Sequence, residues 1–270
     1  EGRAYALTPG SGAGPLILAL HGGLGSGAQL RRESPIDPAA ARIGATVAWP
    51  SAPDRAWNDG RFGPGGARDR TGRAARDDVG HLLRLATHLQ RGLADRRLFV
   101  IGHSNGGGMA MRLACLHPER LAGVAIVATK ALAGVDCPNP APVPTILFHG
   151  TADPLSPHDG DRTPRQVART GAILSSDATL ALLARHNRCT GPVRSRTLPR
   201  LPGSGITPRI DDATGCAAPL RRVVLIGGGH GFPGAPAFGR LRMGRIGPAI
   251  PDYDAAAAAL AFWGLAPERR

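Results

Sequence analysis

Apolar residues in this chain fall into short unbroken runs, separated by stretches in which they recur at helical spacing. Pro15 to Leu20, Ala45 to Trp49, Leu98 to Ile101, Leu121 to Ala128, Thr145 to Phe148 and Arg222 to Ile226 are the runs. Runs this short, bounded by Gly and Pro, predict strands buried on both faces. Between them, Val79, Leu82, Leu83, Ala86, Leu89 and Leu93 keep i, i+3, i+4 spacing, and an apolar-periodic helix begins just after Ser104. Ser176 to His186, with Leu180, Leu182 and Leu183, and the Ala-rich Asp252 to Leu265, with Phe262 and Trp263 on or near the core, complete the helices. Strands alternating with helices predict an α/β fold with a mostly parallel central sheet and helices on both faces.

Two polar stretches break this rhythm. Ser51 to Arg73 is rich in Gly, Pro, Asp and Arg and predicts a surface loop over the sheet edge. Trp57 there either walls a cleft or packs, exposed, on its own loop. Thr190 to Gly215 is a polar excursion with room for a hairpin, and its segment Pro199 to Thr214 is a loop that could reshape a pocket. Asp77 and Asp78 stand at the positive end of their helix, where capping and dipole partners belong.

The strand ends carry the chemistry. Leu98 to Ile101 runs into Gly102-His103-Ser104-Asn105-Gly106, a G-x-S-x-G in a strand–turn–helix setting, which lifts a serine hydroxyl above the sheet edge. An ordinary glycine-rich turn is the alternative. Leu16 to Leu20 ends in His21-Gly22-Gly23, where N–H groups without Cβ obstruction suit an oxyanion. Thr145 to Phe148 leads to Asp153, with Asp159 and Asp161 as rivals in the same loop, and Arg222 to Ile226 leads to His230 on a glycine run. A serine hydroxyl needs an adjacent base, imidazole serves near neutral pH, and a carboxylate holds the imidazole's tautomer. Ser104, Asp153 and His230 are therefore the candidate catalytic residues. The backbone N–H groups of Asn105 and Gly23, with Leu24 as substitute, are the candidate oxyanion donors. No glycine run matches a nucleotide fingerprint, the Asp159–Asp161 spacing lacks further ligands, and the chemistry needs no cofactor and no metal.

The 270 residues suffice for one large domain, residues 1–270. No apolar run approaches the roughly 18–20 residues of a membrane span, so no integral membrane segment is expected. The formal net charge of +13 raises nucleic-acid binding. The arginines are scattered, Lys130 is the only lysine, and no basic stripe interleaves with aromatics, so no nucleic-acid partner is expected. Cys115, Cys137, Cys189 and Cys216 lack C-x-x-C spacing and allow three pairings. Sequential pairing is preferred, because a Cys189–Cys216 bridge would staple the irregular segment between a helix and a strand. Four buried thiols are the alternative. Two bridges imply an oxidising compartment.

GHSNGGGMAMRLAC, HGTADPLSPHDG and GGGHGFPG, with the HGG turn, WNDGR and DDV, resemble the polyhydroxybutyrate depolymerase-like esterases, which include feruloyl and acetylxylan esterases of the LpqC-like group. The resemblance runs from about Leu16 to Trp263. It implies an α/β-hydrolase fold with Ser104, Asp153 and His230 as triad, and Cys189 and Cys216 as a pair. It also implies export with a leader already removed. Phe232 stands where the family usually carries tryptophan; Leu24, Trp57, His103 and Phe232 are the candidate cleft residues. The implied activity is carboxylic-ester hydrolysis through an acyl-enzyme, on hydroxyalkanoate polyester or its oligomers. Feruloyl or acetylxylan ester hydrolysis on plant polysaccharide is the alternative. A peptidase of the same fold, and a catalytically silent carbohydrate- or surface-binding module, are remoter readings.

Overall fold

The computed structural model describes residues 3–61, 72–135, 137–161, 172–236 and 245–266. Its centre is the set of apolar runs. Strands β2 (Leu16–Leu20), β3 (Thr46–Pro50), β4 (Leu98–His103), β5 (Gly123–Val127), β6 (Thr145–Gly150) and β9 (Leu220–Ile226) pair in parallel, in the order β3-β2-β4-β5-β6-β9. Strand β1 (Tyr5–Thr8) adds antiparallel to β3 at one edge. The hairpin β7 (Val193–Thr197) and β8 (Thr207–Ala213) adds antiparallel to β9 at the other.

Burial on both faces explains why the central strands read as continuous apolar runs. Side chains alternate along a strand, so Ile17 and Ala19 enter one layer and Leu16, Leu18 and Leu20 the other. The first layer is closed by α1 (Gly27–Glu33), α2 (Ile36–Ala41) and α6 (Ala255–Phe262), through Leu30, Ile36, Ala39 and Leu260. The second is closed by α3 (Asp78–Gln90), α4 (Asn105–Leu116) and α5 (Ser176–His186), through Leu82, Met109, Leu113 and Leu180. Asp77 caps α3 by accepting the Gly80 N–H. Asp78 is buried and meets the guanidinium groups of Arg3 and Arg76.

Three expectations need correcting. Ala56 to Asp59 is not surface loop: Trp57, Asn58 and Asp59 are buried, because side chains far along the chain satisfy their polar atoms. Residues 62–71 of that stretch lie outside the described residues. Pro199 to Thr214 is not all loop. Its second half is β8, whose charged residues are accommodated by pairing, with Arg222 donating twice to buried Asp211 at 2.7 and 2.9 Å. The closing helix is also shorter than Asp252 to Leu265, because Asp254 caps its first turn by accepting the Ala257 N–H.

The two cysteine pairs are sequential, Cys115–Cys137 and Cys189–Cys216. Among the described residues, no helix is long and apolar enough to cross a membrane.

Candidate active site

Strand β4 ends at His103, and α4 begins at Asn105, leaving Ser104 alone at the reversal with φ 52° and ψ −119°. That left-handed backbone is costly for a residue with a Cβ. The flanking glycines are required by contact. A Cβ on Gly102 would lie 2.1 Å from the Gly106 carbonyl oxygen, and one on Gly106 would lie 2.2 Å from that of Leu20. Unlike an ordinary serine at a helix start, Ser104 makes no cap with its side chain. Its Oγ instead lies 2.9 Å from His230 Nε2.

His230 stands beyond β9, held through its backbone N–H to Ile246 O at 2.6 Å. Its Nδ1 lies 2.7 Å from Asp153 Oδ2. Since a carboxylate only accepts, Nδ1 carries the proton and Nε2 is left to accept from the serine hydroxyl. Asp153 follows β6 and is buried; its Oδ1 accepts the N–H groups of Leu155 and Ser156 at 2.9 and 2.8 Å. Burial by itself would raise this carboxyl, but the His230 hydrogen bond and charge, with the Ser156 N–H, outweigh it and hold the group below the ordinary carboxylate range. The structure thus brings Ser104, Asp153 and His230 into one hydrogen-bonded line. Of the rivals, Asp161 is turned to the Ile173 N–H at 2.8 Å, and Asp159 meets His158 at 3.4 Å.

The N–H of Asn105 points from the first position of α4. Among the described residues, neither it nor the N–H of Gly23 donates to a protein atom. The two residues adjoin: a Cβ on Gly23 would lie 3.9 Å from that of Asn105. Leu24 does not serve as the substitute, since its N–H already donates to Arg55 O at 2.7 Å. Its side chain, 76% exposed on a left-handed backbone (φ 63°), forms part of the cleft rim instead.

Ser104 opens into a cleft of about 420 Å³, whose lining includes the apolar Leu24, Leu155 and Phe232 and the polar Gln29, Glu33 and Arg61. His103 lines it too, with Nε2 2.8 Å from the His230 carbonyl oxygen. Burial, then the neighbouring His230, push His103 down to about 4, so it is neutral and donates through Nε2–H. Trp57 does not line the cleft. It is fully buried in the layer closed by α3 and α4, its Nε1–H donating to His21 O at 3.0 Å. The loop from Arg200 to Gly205 borders a separate depression away from Ser104.

Residue reading missed the shell beneath the serine. The Asn105 side chain accepts from Trp57 N–H at 2.6 Å and donates to Trp57 O at 3.1 Å and Asp59 Oδ2 at 2.8 Å. Arg61 in turn is bidentate on Asp59. His21 is pinned at both nitrogens, Nδ1 donating to Gly22 O at 2.7 Å and Nε2 accepting Ala52 N–H at 3.0 Å.

A parallel sheet with a strained serine at one strand end, and an aspartate and histidine beyond two neighbouring strands, defines the α/β-hydrolase class of protein. This chain belongs to that family, whose model, described as alpha/beta hydrolase fold, matches residues 15–218. The chain is 30% identical over 263 residues to NocK of Nocardia uniformis subsp. tsuyamanensis, a protein named as an esterase, covering 86% of this chain and 71% of that one. It is 28% identical over 136 residues to a protein named feruloyl esterase C of Aspergillus terreus, covering 50% of this chain and 43% of that one. In fold it is similar to the acetyl xylan esterase from Aspergillus awamori, with a TM-score of 0.59 at 14% identity, over 97% of this chain and 94% of the other.

Proposed function

We propose that this protein is a serine carboxylic-ester hydrolase working through an acyl-enzyme on Ser104. The observation that carries the reading is the continuous line from Ser104 Oγ to His230 Nε2, and from His230 Nδ1 to Asp153, at 2.9 and 2.7 Å. Oγ attacks the ester carbonyl as its proton passes to His230 Nε2, and Asp153 stabilises the imidazolium that forms. The oxyanion is received by the Asn105 and Gly23 N–H groups. Losing one such donor typically costs about 2.7–4 kcal/mol of transition-state stabilisation. His230 returns the proton to the departing alcohol, then activates water to release the acid.

The alignment with a protein named feruloyl esterase C supports a hydroxycinnamoyl ester as substrate, and Phe232, which lines the cleft beside His103, is an aromatic neighbour for such an acyl group. A hydroxyalkanoate polyester or oligomer is the second reading, supported by the exposed Leu24 and Leu155 at an open rim that an extended chain can cross. Two disulfides support action in an oxidising, extracellular compartment.

The test is product release from methyl ferulate and from amorphous polyhydroxybutyrate, side by side, with Ser104→Ala as blank. Ferulate release supports the aromatic acyl pocket, and polyester turnover without it supports the aliphatic chain. Turnover of a short p-nitrophenyl ester surviving in Ser104→Ala would sink the whole assignment.

A further inference from the structure

Lys130 is the only lysine in a chain with 33 lysines and arginines, and it is 1% exposed. It lies three residues beyond β5, one strand over from the strand that leads to Asp153. Its Nζ donates to Ser156 Oγ at 2.9 Å and Ser156 O at 3.1 Å, and lies 3.4 Å from His149 Nε2. The Ser156 N–H in turn donates to Asp153 Oδ1 at 2.8 Å. One chain of contacts therefore runs from Lys130 through Ser156, Asp153 and His230 to Ser104.

Burying a cation costs several kcal/mol unless partners offset it, and a methionine of similar length would fill the same space without that cost. Every partner here belongs to the acid's neighbourhood. The carboxylates whose charge acts on Lys130 are those of Asp153, Asp161 and Asp159. His149, with His158 beside its ring, is the facing imidazole. Burial pushes the Lys130 amine down to about 8, against the pull of those carboxylates, so it is charged at neutral pH. Burial, then Lys130 itself, push His149 down to about 3, leaving Nε2 free to accept.

We propose that Lys130 is a positioning residue of this site. Its ammonium grips the turn that presents Asp153 and sets a positive charge behind that carboxylate, so that Asp153 accepts the His230 hydrogen bond without taking the proton. The proposal rests on the ester-hydrolase reading above. The same charge disfavours an extra proton on the Asp153–His230 pair.

The experiment compares Lys130→Met, Lys130→Arg and Ser156→Ala on a short p-nitrophenyl ester across pH, with circular dichroism as fold control. It also follows the far-downfield proton resonance of the His230–Asp153 N–H. Lys130→Met is expected to lower kcat about 10–100-fold at little-changed KM and to displace the resonance. It should also move the acid limb of kcat/KM up by about half a pH unit. Lys130→Arg should return the limb but only part of kcat, since a planar guanidinium cannot meet three convergent acceptors. Ser156→Ala should lower kcat and leave the limb in place.

A packing role predicts the opposite order, with Met near wild type and Arg worst. That order, or wild-type kcat and an unmoved limb in Lys130→Met, would overturn the proposal. Should neither Lys130 variant fold, Ser156→Ala decides, and unchanged kcat overturns it. Should the wild type turn over no ester, the ester-hydrolase reading fails separately. The resonance then decides for Lys130, displaced in Lys130→Met if the proposal holds and unmoved if it does not.

Discussion

His103 Nε2 lies 2.8 Å from the carbonyl oxygen of His230, so the residue before the serine holds the backbone of the candidate base. The contact spans 127 positions of sequence and ties the β4 turn to the loop beyond β9. Removing it frees a carbonyl and takes away the ring contact with His230, centroids 5.3 Å apart, and so loosens His230 relative to Ser104. We expect His103→Ala to lower kcat on a p-nitrophenyl ester about tenfold, with a smaller effect on KM, since a hydrogen bond to this carbonyl is worth about 1–1.5 kcal/mol. Steady-state kinetics checks it; wild-type kcat in a folded variant would show that the Ile246 contact alone holds the loop.

The Asn105 side chain serves the structure, while its backbone N–H donates to no protein atom among the described residues. Asn105→Ala would leave the Trp57 N–H and C=O without their partner in a buried layer, while Asp59 Oδ2 would keep Arg61. Each buried polar atom stranded this way costs about 1–3 kcal/mol, less whatever water recovers. We expect a loss of about 2–4 kcal/mol, read by urea denaturation, with fluorophosphonate labelling of Ser104 retained under native conditions. A variant as stable as wild type would mean the Trp57–Asp59 segment finds other partners.

The parts of this fold and site that were legible share a physical cause. Strands covered on both faces must be continuously apolar, and residues just beyond them, on glycine-rich turns, must come together along one sheet edge. Hence Ser104, Asp153 and His230 stand out in the sequence itself, and their proximity follows from the parallel order of β4, β5, β6 and β9. Strand β7 (VRSRT) is exposed throughout and β8 carries Arg209, Asp211 and Asp212, so neither shows an apolar run. Their pairing comes from backbone bonds and from Arg–Asp contacts such as Arg222 to Asp211. Trp57 and Asp59 looked exposed because Asn105, which buries them, is almost fifty positions away. Lys130 escaped for the same reason: its acceptors Ser156 and His149 are non-local, and a lone lysine after an apolar run carries no periodic signal.

The disulfides offer a second stability test. Cys115–Cys137 and Cys189–Cys216 close loops with separations of 22 and 27 residues. In the chain-entropy model, each stabilises by roughly 3–4 kcal/mol. Cys189–Cys216 closes the segment carrying the β7–β8 hairpin, whose ends are also joined by Gly191 N–H to Thr214 O. Replacing both cysteines of that pair by alanine should lower the unfolding free energy by about that amount in urea, with ester turnover at low temperature retained, because the hairpin lies at the far sheet edge from Ser104. Loss of turnover in a folded double variant would show that the hairpin reaches the site.

Acid should unfold this protein well before its carboxylates are all protonated. Burial holds His103 down to about 4 and His149 to about 3, against 6.5 for an ordinary imidazole. The unfolded chain therefore binds protons at these two positions near pH 6.5, and the native chain refuses them until much lower pH. The unfolded state holds more protons across that window, so stability rises with pH there. It is fully present above about 6.5 and is lost progressively as pH falls toward 3, by several kcal/mol for the two together. Asp153, held below the usual carboxylate range, adds a further loss below 3.8. Tm measured at constant ionic strength from pH 7 to pH 4 should fall steadily. His149→Asn can still accept from Lys130 and does not titrate, so its curve should be shallower. Parallel curves for variant and wild type would mean that His149 takes its proton as readily in the native state as in the unfolded chain, contrary to its burial.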